Sequence, residues 1–176
     1  LWSCVGEMEF FKKAKEQRCW VHKIANVLDK LPKKTQTRAK SILHDMMKAE
    51  TEKDAEEARK IFESEFHEKF PKAVDCLNGD WEALTNHFSF PAKHWQHIRT
   101  TNPIESMFAT VKLRTKVTKG AGSLKMAETM AFKLMKEAEQ NWRKIRGHRE
   151  IMNLLDGAIY KNGKREDIKS DQRAIA

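Results

Sequence analysis

The stretch TEKDAEEARKIFESEFHEKF, residues 51–70, decides the fold class. Its apolar side chains recur at helical spacing, and they are Ala55, Ala58, Ile61, Phe62 and Phe66. A period of 3.6 residues with charged residues on the other face is typical of an amphipathic helix packed on a core. Thr51 is followed three residues later by Asp54, a pattern that favours a helix N-cap. We therefore predict a helix that begins after Thr51 and buries one face.

The sequence on both sides of this helix has the same character. The segments 22–31 and 33–48 carry apolar stripes, and the second stripe consists of Ala39, Ile42, Leu43 and Met46. Shorter helices are predicted at PKAVDCL and at DWEALTNHF, where Asp80 is the expected N-cap. Residues 22–90 contain no alternating run rich in Val and Ile, so a small all-helical module is predicted. The stretch EQRCWV, residues 16–21, favours the end of a short buried strand.

The C-terminal part is also predicted to be mainly helical. After an irregular connection, Asn102 is the expected N-cap of a helix in which Pro103 takes the first position. SLKMAETMAFKLMKEAEQNWRKI, residues 123–145, predicts the longest helix. Its expected buried stripe is Leu124, Ala127, Ala131, Leu134, Met135, Ala138 and Trp142. Residues 147–176 predict one short helix and a flexible tail.

The net charge of +9 is distributed unevenly. Residues 1–90 contain equal numbers of basic and acidic side chains, so residues 91–176 carry the whole excess. This asymmetry indicates a surface that faces a polyanion, although a merely soluble basic surface fits the charge equally well. No apolar run is long enough to span a membrane. The odd number of cysteines (Cys4, Cys19 and Cys76) argues against a disulfide framework and favours a reducing cytosol.

One acid stands out in the basic half, in the stretch TTNPIES, residues 100–106. Glu105 falls in the first turn of a predicted helix, where a carboxylate complements the helix dipole. Cationic residues surround it in sequence, and they are Arg99, Lys112, Arg114, Lys116 and Lys119. A carboxylate within a phosphate-binding surface repels its ligand unless a divalent cation such as Mg²⁺ lies between them. Glu105 is therefore a candidate metal ligand, with the dipole interaction as the alternative.

The other candidate residues have structural alternatives too. The four basic residues after Glu105 could contact a DNA backbone or form a solvated helix end, and Arg99 could make a local salt bridge or cap a helix. Cys19 and His22 form a C-x-x-H pair, and His94 and His97 form an H-x-x-H pair. Together these four could supply the ligands of a zinc site. A packed Cys19 beside a hydrogen-bonded His22 is the simpler interpretation.

Four stretches resemble the C-terminal half of Mutator-family transposases of bacterial insertion sequences. They are EQRCWVHKIANVLDKLPK, FPKAV, FPAKHWQHIRTTNPIES and FATVKLRTKVTKGAGS. The resemblance runs from about Lys15 to Arg146. It implies an RNase-H-like core with an Asp-Asp-Glu triad that binds Mg²⁺ or Mn²⁺. In that triad the Glu of the IRTTNPIE motif is Glu105, supported by Asn102 and Arg99. Cys19 and His22 match the family's C-x-x-H signature.

The N-terminal residues depart from the family pattern. In the family, a Gly-Asp-Gly-like turn with the second Asp precedes the C-x-x-H signature. Here the stretch LWSCVGEMEFFKKA, residues 1–14, does not match that turn, and neither Glu7 nor Glu9 replaces the Asp. The sequence also lacks an initiating Met. We therefore expect a truncated transposase that begins just after the second Asp and does not cleave DNA by itself.

The expected fold is mainly α: the C-terminal part of an RNase-H-like α/β catalytic core that carries an all-helical insertion. The expected domains are a core-strand remnant (1–22), the insertion (23–96), core helices with Glu105 and the basic surface (97–146), and a short helix with its tail (147–176). The expected activity is DNA strand cleavage and strand transfer on transposon ends and target DNA. We expect a homo-oligomer in the bacterial cytoplasm, associated with the nucleoid. The alternative is a non-catalytic helical DNA-binding or dimerisation remnant.

Overall fold

The computed structural model describes residues 15–117, 119–120 and 122–166. Cys4, Glu7 and Glu9 lie outside the described residues. Helices dominate the described residues, so the prediction of a mainly α protein is confirmed. The first five are α1 (Trp20–Leu28), α2 (Lys33–Lys48), α3 (Glu52–Phe66), α4 (Pro71–Asn78) and α5 (Trp81–Thr85).

Helices α1 to α5 share one apolar core, which we call the helical module. All four residues of the predicted α2 stripe are buried in it, as are Phe62 and Phe66 of α3. Ile61 is half exposed because it lies to one side of that face. The predicted cap of α3 is confirmed, since the Asp54 N–H donates to Thr51 Oγ1 at 3.1 Å.

The strand predicted for EQRCWV is wrong. Residues 15–19 have no regular structure, and α1 begins at Trp20. The apolar run of Cys19, Trp20 and Val21 is too short to distinguish a strand from the first turn of a helix. The Trp20 side chain is fully buried, and its Nε1–H donates to the Leu84 carbonyl at 3.0 Å. This bond ties the start of α1 to the end of the module.

Asp80 precedes α5 as predicted, but its side chain does not cap that helix. The carboxylate instead forms ion pairs with Lys23 and, at 3.2 Å, with Arg18. The Lys23 side chain is almost completely buried, and its Nζ also donates to the Cys76 carbonyl at 2.8 Å. A buried ammonium requires such partners. Because the Asp80 carboxylate is paired with Lys23, it does not cap α5.

Two 3₁₀ turns (Asn86–Ser89 and Ala92–His94) and a short helix α6 (Trp95–Ile98) follow the module. A second apolar cluster forms here, in which the rings of Phe88 and Trp95 meet edge to face at 5.1 Å over Ala55. The Trp95 Nε1–H donates to the Phe90 carbonyl at 2.9 Å. This cluster anchors the chain that leads into the next helix.

The next two helices are α7 (Asn102–Val117) and α8 (Leu124–Glu139), and they pack against each other. The prediction of one longest helix is wrong, because α8 ends at Glu139 and has 16 residues, as α2 and α7 do. The predicted buried stripe of α8 is confirmed only in part. Five of its seven residues are partly buried, namely Ala127, Ala131, Leu134, Met135 and Ala138, but no residue of α8 is fully buried, and Leu124 is 77% exposed. Periodicity identifies the residues that share a face but not what covers that face.

The described chain ends with a helix and a hairpin. Helix α9 (Glu150–Leu155) is followed by the two-residue antiparallel strands β1 (Tyr160–Lys161) and β2 (Lys164–Arg165). The hairpin was not predicted. It docks on the 3₁₀ turns, where the Gly163 N–H donates to the Phe88 carbonyl at 3.2 Å and Gly163 accepts from Ala92 at 3.1 Å. In the described residues, no helix has the length and apolarity to cross a membrane.

Candidate functional site

Glu105 lies in the first turn of α7, and its side chain is 52% exposed. Its backbone N–H donates to the Thr101 carbonyl at 3.0 Å, and its Oε1 accepts from the Thr101 hydroxyl at 2.7 Å. The positive end of the helix dipole favours a carboxylate at this position. Because α7 begins at Asn102, Thr101 rather than Asn102 precedes the first helical residue, one position earlier than predicted.

The C-x-x-H pair lies beside this carboxylate. Cys19 immediately precedes α1, and His22 is in its first turn. His22 Nε2 is 3.3 Å from Glu105 Oε1, and Thr101 Oγ1 is 3.4 Å from Cys19 Sγ. A backbone bond from Trp20 N–H to the Arg99 carbonyl, 3.0 Å long, joins the two segments. The structure thus brings Cys19, His22, Thr101 and Glu105 into one group, which we call the Glu105 cluster.

Thr101 is the centre of the Glu105 cluster, and sequence reasoning missed it. Its hydroxyl lies 2.7 Å from Glu105 Oε1, and Cys19 Sγ and His22 Nδ1 lie farther from it, at 3.4 and 3.5 Å. The usual sequence signal, a capping box, places the acid three residues after the Thr, whereas here the spacing is four. The sequence did offer one signal for Thr101, because Thr100 and Thr101 come immediately before the Asn-Pro pair that begins the predicted helix.

The thiol of Cys19 is buried within this cluster. Burial by itself would raise the pKa of the thiol, because it disfavours the charged thiolate. The hydroxyl of Thr101 and the backbone N–H groups of His22 and Thr101 outweigh that effect, so the pKa of Cys19 lies below its ordinary value. The N-terminus of α1 and the loop before α7 therefore both favour negative charge here.

Within the described residues Arg99 forms no ion pair with the Glu105 carboxylate, and its side chain contacts helix α2 instead. Its Nη1 donates to the carbonyl of Met47, in the last turn of α2, at 2.8 Å. Burial lowers the pKa of its guanidinium. Of the two structural alternatives given for Arg99, the helix cap is therefore the one formed. It fixes the segment before Glu105 to the helical module.

The predicted basic residues are all exposed, but they do not share one face. Lys112 and Lys116 follow Glu105 by 7 and 11 residues. At about 100° per residue they lie within roughly 20° of its direction on α7, about 10 and 16 Å along the axis. Arg114 lies on the opposite side, and Lys119 follows the end of the helix with a φ of 53°. The structure thus aligns two of the four with Glu105.

The proposed zinc set is not assembled. His94 Nε2 lies 2.9 Å from the Gly147 carbonyl, and the Arg146 N–H donates to His97 Nε2 at 3.1 Å. Both histidines thus bind the loop after α8. Across residues 15–117, 119–120 and 122–166, no three His, Cys, Asp or Glu side chains form a group that could hold a metal ion. Cys19 and Cys76 are free cysteines.

The family described as "Transposase, Mutator family" matches residues 5–145. This range includes the C-x-x-H pair, the helical module, Glu105 and most of the basic residues that follow.

Two proteins that are similar to the chain are transposases for insertion sequence elements. The chain is 44% identical over 163 residues to a transposase for insertion sequence element IS6120 of Mycolicibacterium smegmatis, covering 93% of this chain and 50% of that protein. It is 40% identical over 162 residues to a transposase for insertion sequence element IST2 of Acidithiobacillus ferrooxidans, covering 92% of this chain and 54% of that protein. The chain therefore spans about half the length of the curated relatives it matches.

Proposed function

The chain belongs to the Mutator family of transposases, and on that premise we propose that it contributes Glu105 to an Asp-Asp-Glu active site that cleaves and joins DNA strands. In this reaction a water, and then the freed 3′-hydroxyl, attacks a phosphodiester phosphorus as the bond to the leaving oxygen breaks. The observation that carries the proposal is the Glu105 cluster. An exposed carboxylate is held at the first turn of α7 by Thr101 and His22, with two lysines on the same face.

Glu105 suits one position in the coordination shell of Mg²⁺ or Mn²⁺. Its Oε1 is engaged by Thr101 and His22, while its Oε2 makes no hydrogen bond or ion pair within the described part of the chain. Magnesium is typically bound by one or two carboxylates together with phosphate oxygens and water. When bound, the metal would activate the attacking oxygen and stabilise the leaving one. The remaining carboxylates would come from outside the described residues.

The chain's own residues have separate tasks in this proposal. Thr101 and His22 orient the Glu105 carboxylate through its Oε1 and leave the other oxygen without such a contact in the described part of the chain. Lys112 and Lys116 continue from Glu105 along one face of α7, so a DNA backbone lying on that face would meet both. Arg114 and Lys119 would contact DNA from other directions. The helical module would be an insertion in an RNase-H-like core.

The role of Glu105 can be tested by DNA binding with and without magnesium. Without metal the carboxylate repels a neighbouring phosphate, by about 1 kcal/mol for charges 4 Å apart in water. Glu105→Gln should therefore bind a labelled duplex several-fold more tightly in EDTA and lose the gain that Mg²⁺ gives the wild type. Glu128→Gln, an exposed acid on α8, is the matched control. Identical behaviour of the two variants in both buffers would refute the assignment.

Cleavage gives a second test. The resemblance assigns three carboxylates to the active site, and this chain matches one of them, so we expect no cleavage by the purified chain. Nicking of supercoiled plasmid that requires Mg²⁺ and disappears in Glu105→Ala would contradict this expectation.

A second candidate function is a helical DNA-binding or dimerisation module. The observation that favours it is the exposed apolar surface of α7 and α8, where Leu113, Val117, Leu124 and Phe132 are 61 to 77% exposed. Large apolar patches mark interaction sites in soluble proteins. Sedimentation velocity would show a concentration-dependent dimer that Leu124→Ser and Phe132→Ser disrupt. A monomer at all concentrations would exclude dimerisation by this chain.

A further inference from the structure

A basic concavity lies on the loop between α8 and α9, and its lining does not include the predicted lysines of α7. Its volume is about 640 Å³, and it is lined by Lys93, Arg146, Gly147, His148, Arg149 and Glu150. Most of these residues follow the part of the chain that matches the family, which ends at residue 145. Neither the sequence motifs nor the comparisons assign a role to it.

Specific contacts hold this loop in place. The buried His94 ring binds the Gly147 carbonyl at 2.9 Å, and His97 accepts from the Arg146 N–H at 3.1 Å. Gly147 has a φ of +72°, and a Cβ there would lie 2.8 Å from Lys93 Cβ. The backbone can approach Lys93 this closely only because residue 147 is glycine. The loop is therefore pinned beside Lys93.

The cations of the concavity outnumber its carboxylates, and the Glu150 carboxylate interacts electrostatically with Lys93. Lys93, Arg146 and Arg149 are exposed, and none forms a salt bridge within the described residues. Glu150 is the one carboxylate in the lining, and its Oε2 accepts from Asn153 and from the Tyr160 hydroxyl, each at 2.9 Å. Three positive side chains thus face one negative group, and a concave surface concentrates their field.

We propose that this concavity binds the phosphodiester backbone of DNA, as a second contact separate from the lysines of α7. The proposal rests on the proposed function, because it takes DNA as the polyanion. His97, which holds the loop, is four residues before Thr101 of the Glu105 cluster. Their Cα atoms therefore lie at most about 14 Å apart. This upper bound is shorter than one helical turn of DNA, which is roughly 34 Å, so one duplex can reach both surfaces.

The test compares two triple variants of the 176-residue chain. Lys93→Ala/Arg146→Ala/Arg149→Ala removes the three cations of the concavity. Lys40→Ala/Lys60→Ala/Lys72→Ala removes three exposed lysines of the helical module and changes the net charge equally. Binding to a short fluorescein-labelled duplex of arbitrary sequence is followed by anisotropy over a range of salt concentrations. Circular dichroism and thermal melts verify that both variants fold.

The expected effect follows from counterion release. Each lost phosphate contact reduces the slope of log K against log salt by about 0.9, which corresponds to about eightfold in affinity at 0.1 M salt. Loss of all three contacts should therefore reduce the slope by up to about 3. The control triple variant should keep the slope of the wild type, because its three lysines lie on helices of the module and belong to neither proposed DNA contact.

The outcomes separate this proposal from the proposed function. If the wild type shows no salt-dependent DNA binding, the role of the chain in DNA binding fails, and this proposal fails with it. If the wild type binds and Lys112→Ala/Lys116→Ala weakens binding while the concavity variant equals its control, only the second contact is refuted. Tighter binding to single-stranded RNA than to duplex DNA would also overturn the proposal.

Discussion

His87 should make the stability of this chain fall in mild acid. The side chain is fully buried after α5, against the rings of Phe88 and Trp95. Its Nδ1 lies 2.9 Å from the Leu84 carbonyl, and its buried Nε2 has no hydrogen-bond partner among the residues that the structure describes. Burial, aided by the charge of Arg99, lowers its pKa from 6.5 to about 4, although the bond to Leu84 opposes the shift. The folded protein therefore keeps this ring neutral where the unfolded chain protonates it.

The direction and size of the effect follow from linkage. Between pH 6.5 and about 4 the unfolded chain binds a proton that the folded chain does not, so stability is lost as pH falls through this range. Each pKa unit is worth 1.36 kcal/mol, so the full contribution of His87 is about 3 kcal/mol. Between pH 7 and about 4.5 it amounts to roughly 2 kcal/mol. Well above pH 6.5 His87 is neutral in both the folded and the unfolded chain, and none of this stability is lost.

Urea unfolding followed by tryptophan fluorescence at these two pH values measures the loss. His87→Leu removes the titrating group, and the Leu84 carbonyl still accepts from Trp20 and Gln17. His67→Leu, at an exposed position, is the matched control. The free energy of unfolding of His87→Leu should fall by about 2 kcal/mol less between the two pH values than that of the wild type and the control. An equal fall in all three proteins would refute the reasoning.

Three further changes test other contacts. Asp80→Ala should reduce the free energy of unfolding by about 3 kcal/mol, because it leaves the Lys23 ammonium buried without its counter-ion, and Lys23→Met in the same background should recover part of the loss. Gly147→Ala should destabilise the chain by about 1–3 kcal/mol more than Gly157→Ala in urea unfolding, since both have positive φ but only the first would clash. Thr101→Val should leave DNA affinity in EDTA unchanged in an anisotropy assay and diminish the gain given by Mg²⁺, since it frees the carboxylate that the hydroxyl orients.

Local patterns predicted local structure well. The α2 stripe is buried at each of its four positions, and Thr51 caps α3, because both features depend on residues within one or two turns of each other. The strand predicted at the start of α1 was wrong, and the burial of α8 was predicted only in part, because both depend on what packs against the segment. The face of α8 is apolar, yet within the described residues its packing against α7 leaves that face only partly buried.

The candidate site was predicted in part. The residues of the C-x-x-H pair and Glu105 were identified from motifs, and the structure adds their contacts through Thr101. Cys19 and Thr101 are 82 residues apart, and sequence spacing over such a distance carries no information about contact. The alignment of Lys112 and Lys116 with Glu105 could be read from helical geometry, whereas the docking of residues 146–147 on His94 and His97 could not.

The geometry of the helical module explains why Glu105 depends on residues so far from it in sequence. The chain enters the module at Trp20, and the segment that follows the module returns to the same place at Arg99, where these two residues share a backbone hydrogen bond of 3.0 Å. Hydrogen bonds to the module hold both points in place. Trp20 donates to the Leu84 carbonyl, and Arg99 donates to the Met47 carbonyl. A module whose ends lie side by side can be inserted into another domain without disturbing it. The same closure places the first turn of α1 against the first turn of α7, so the folding of the module itself positions His22 beside the Glu105 carboxylate.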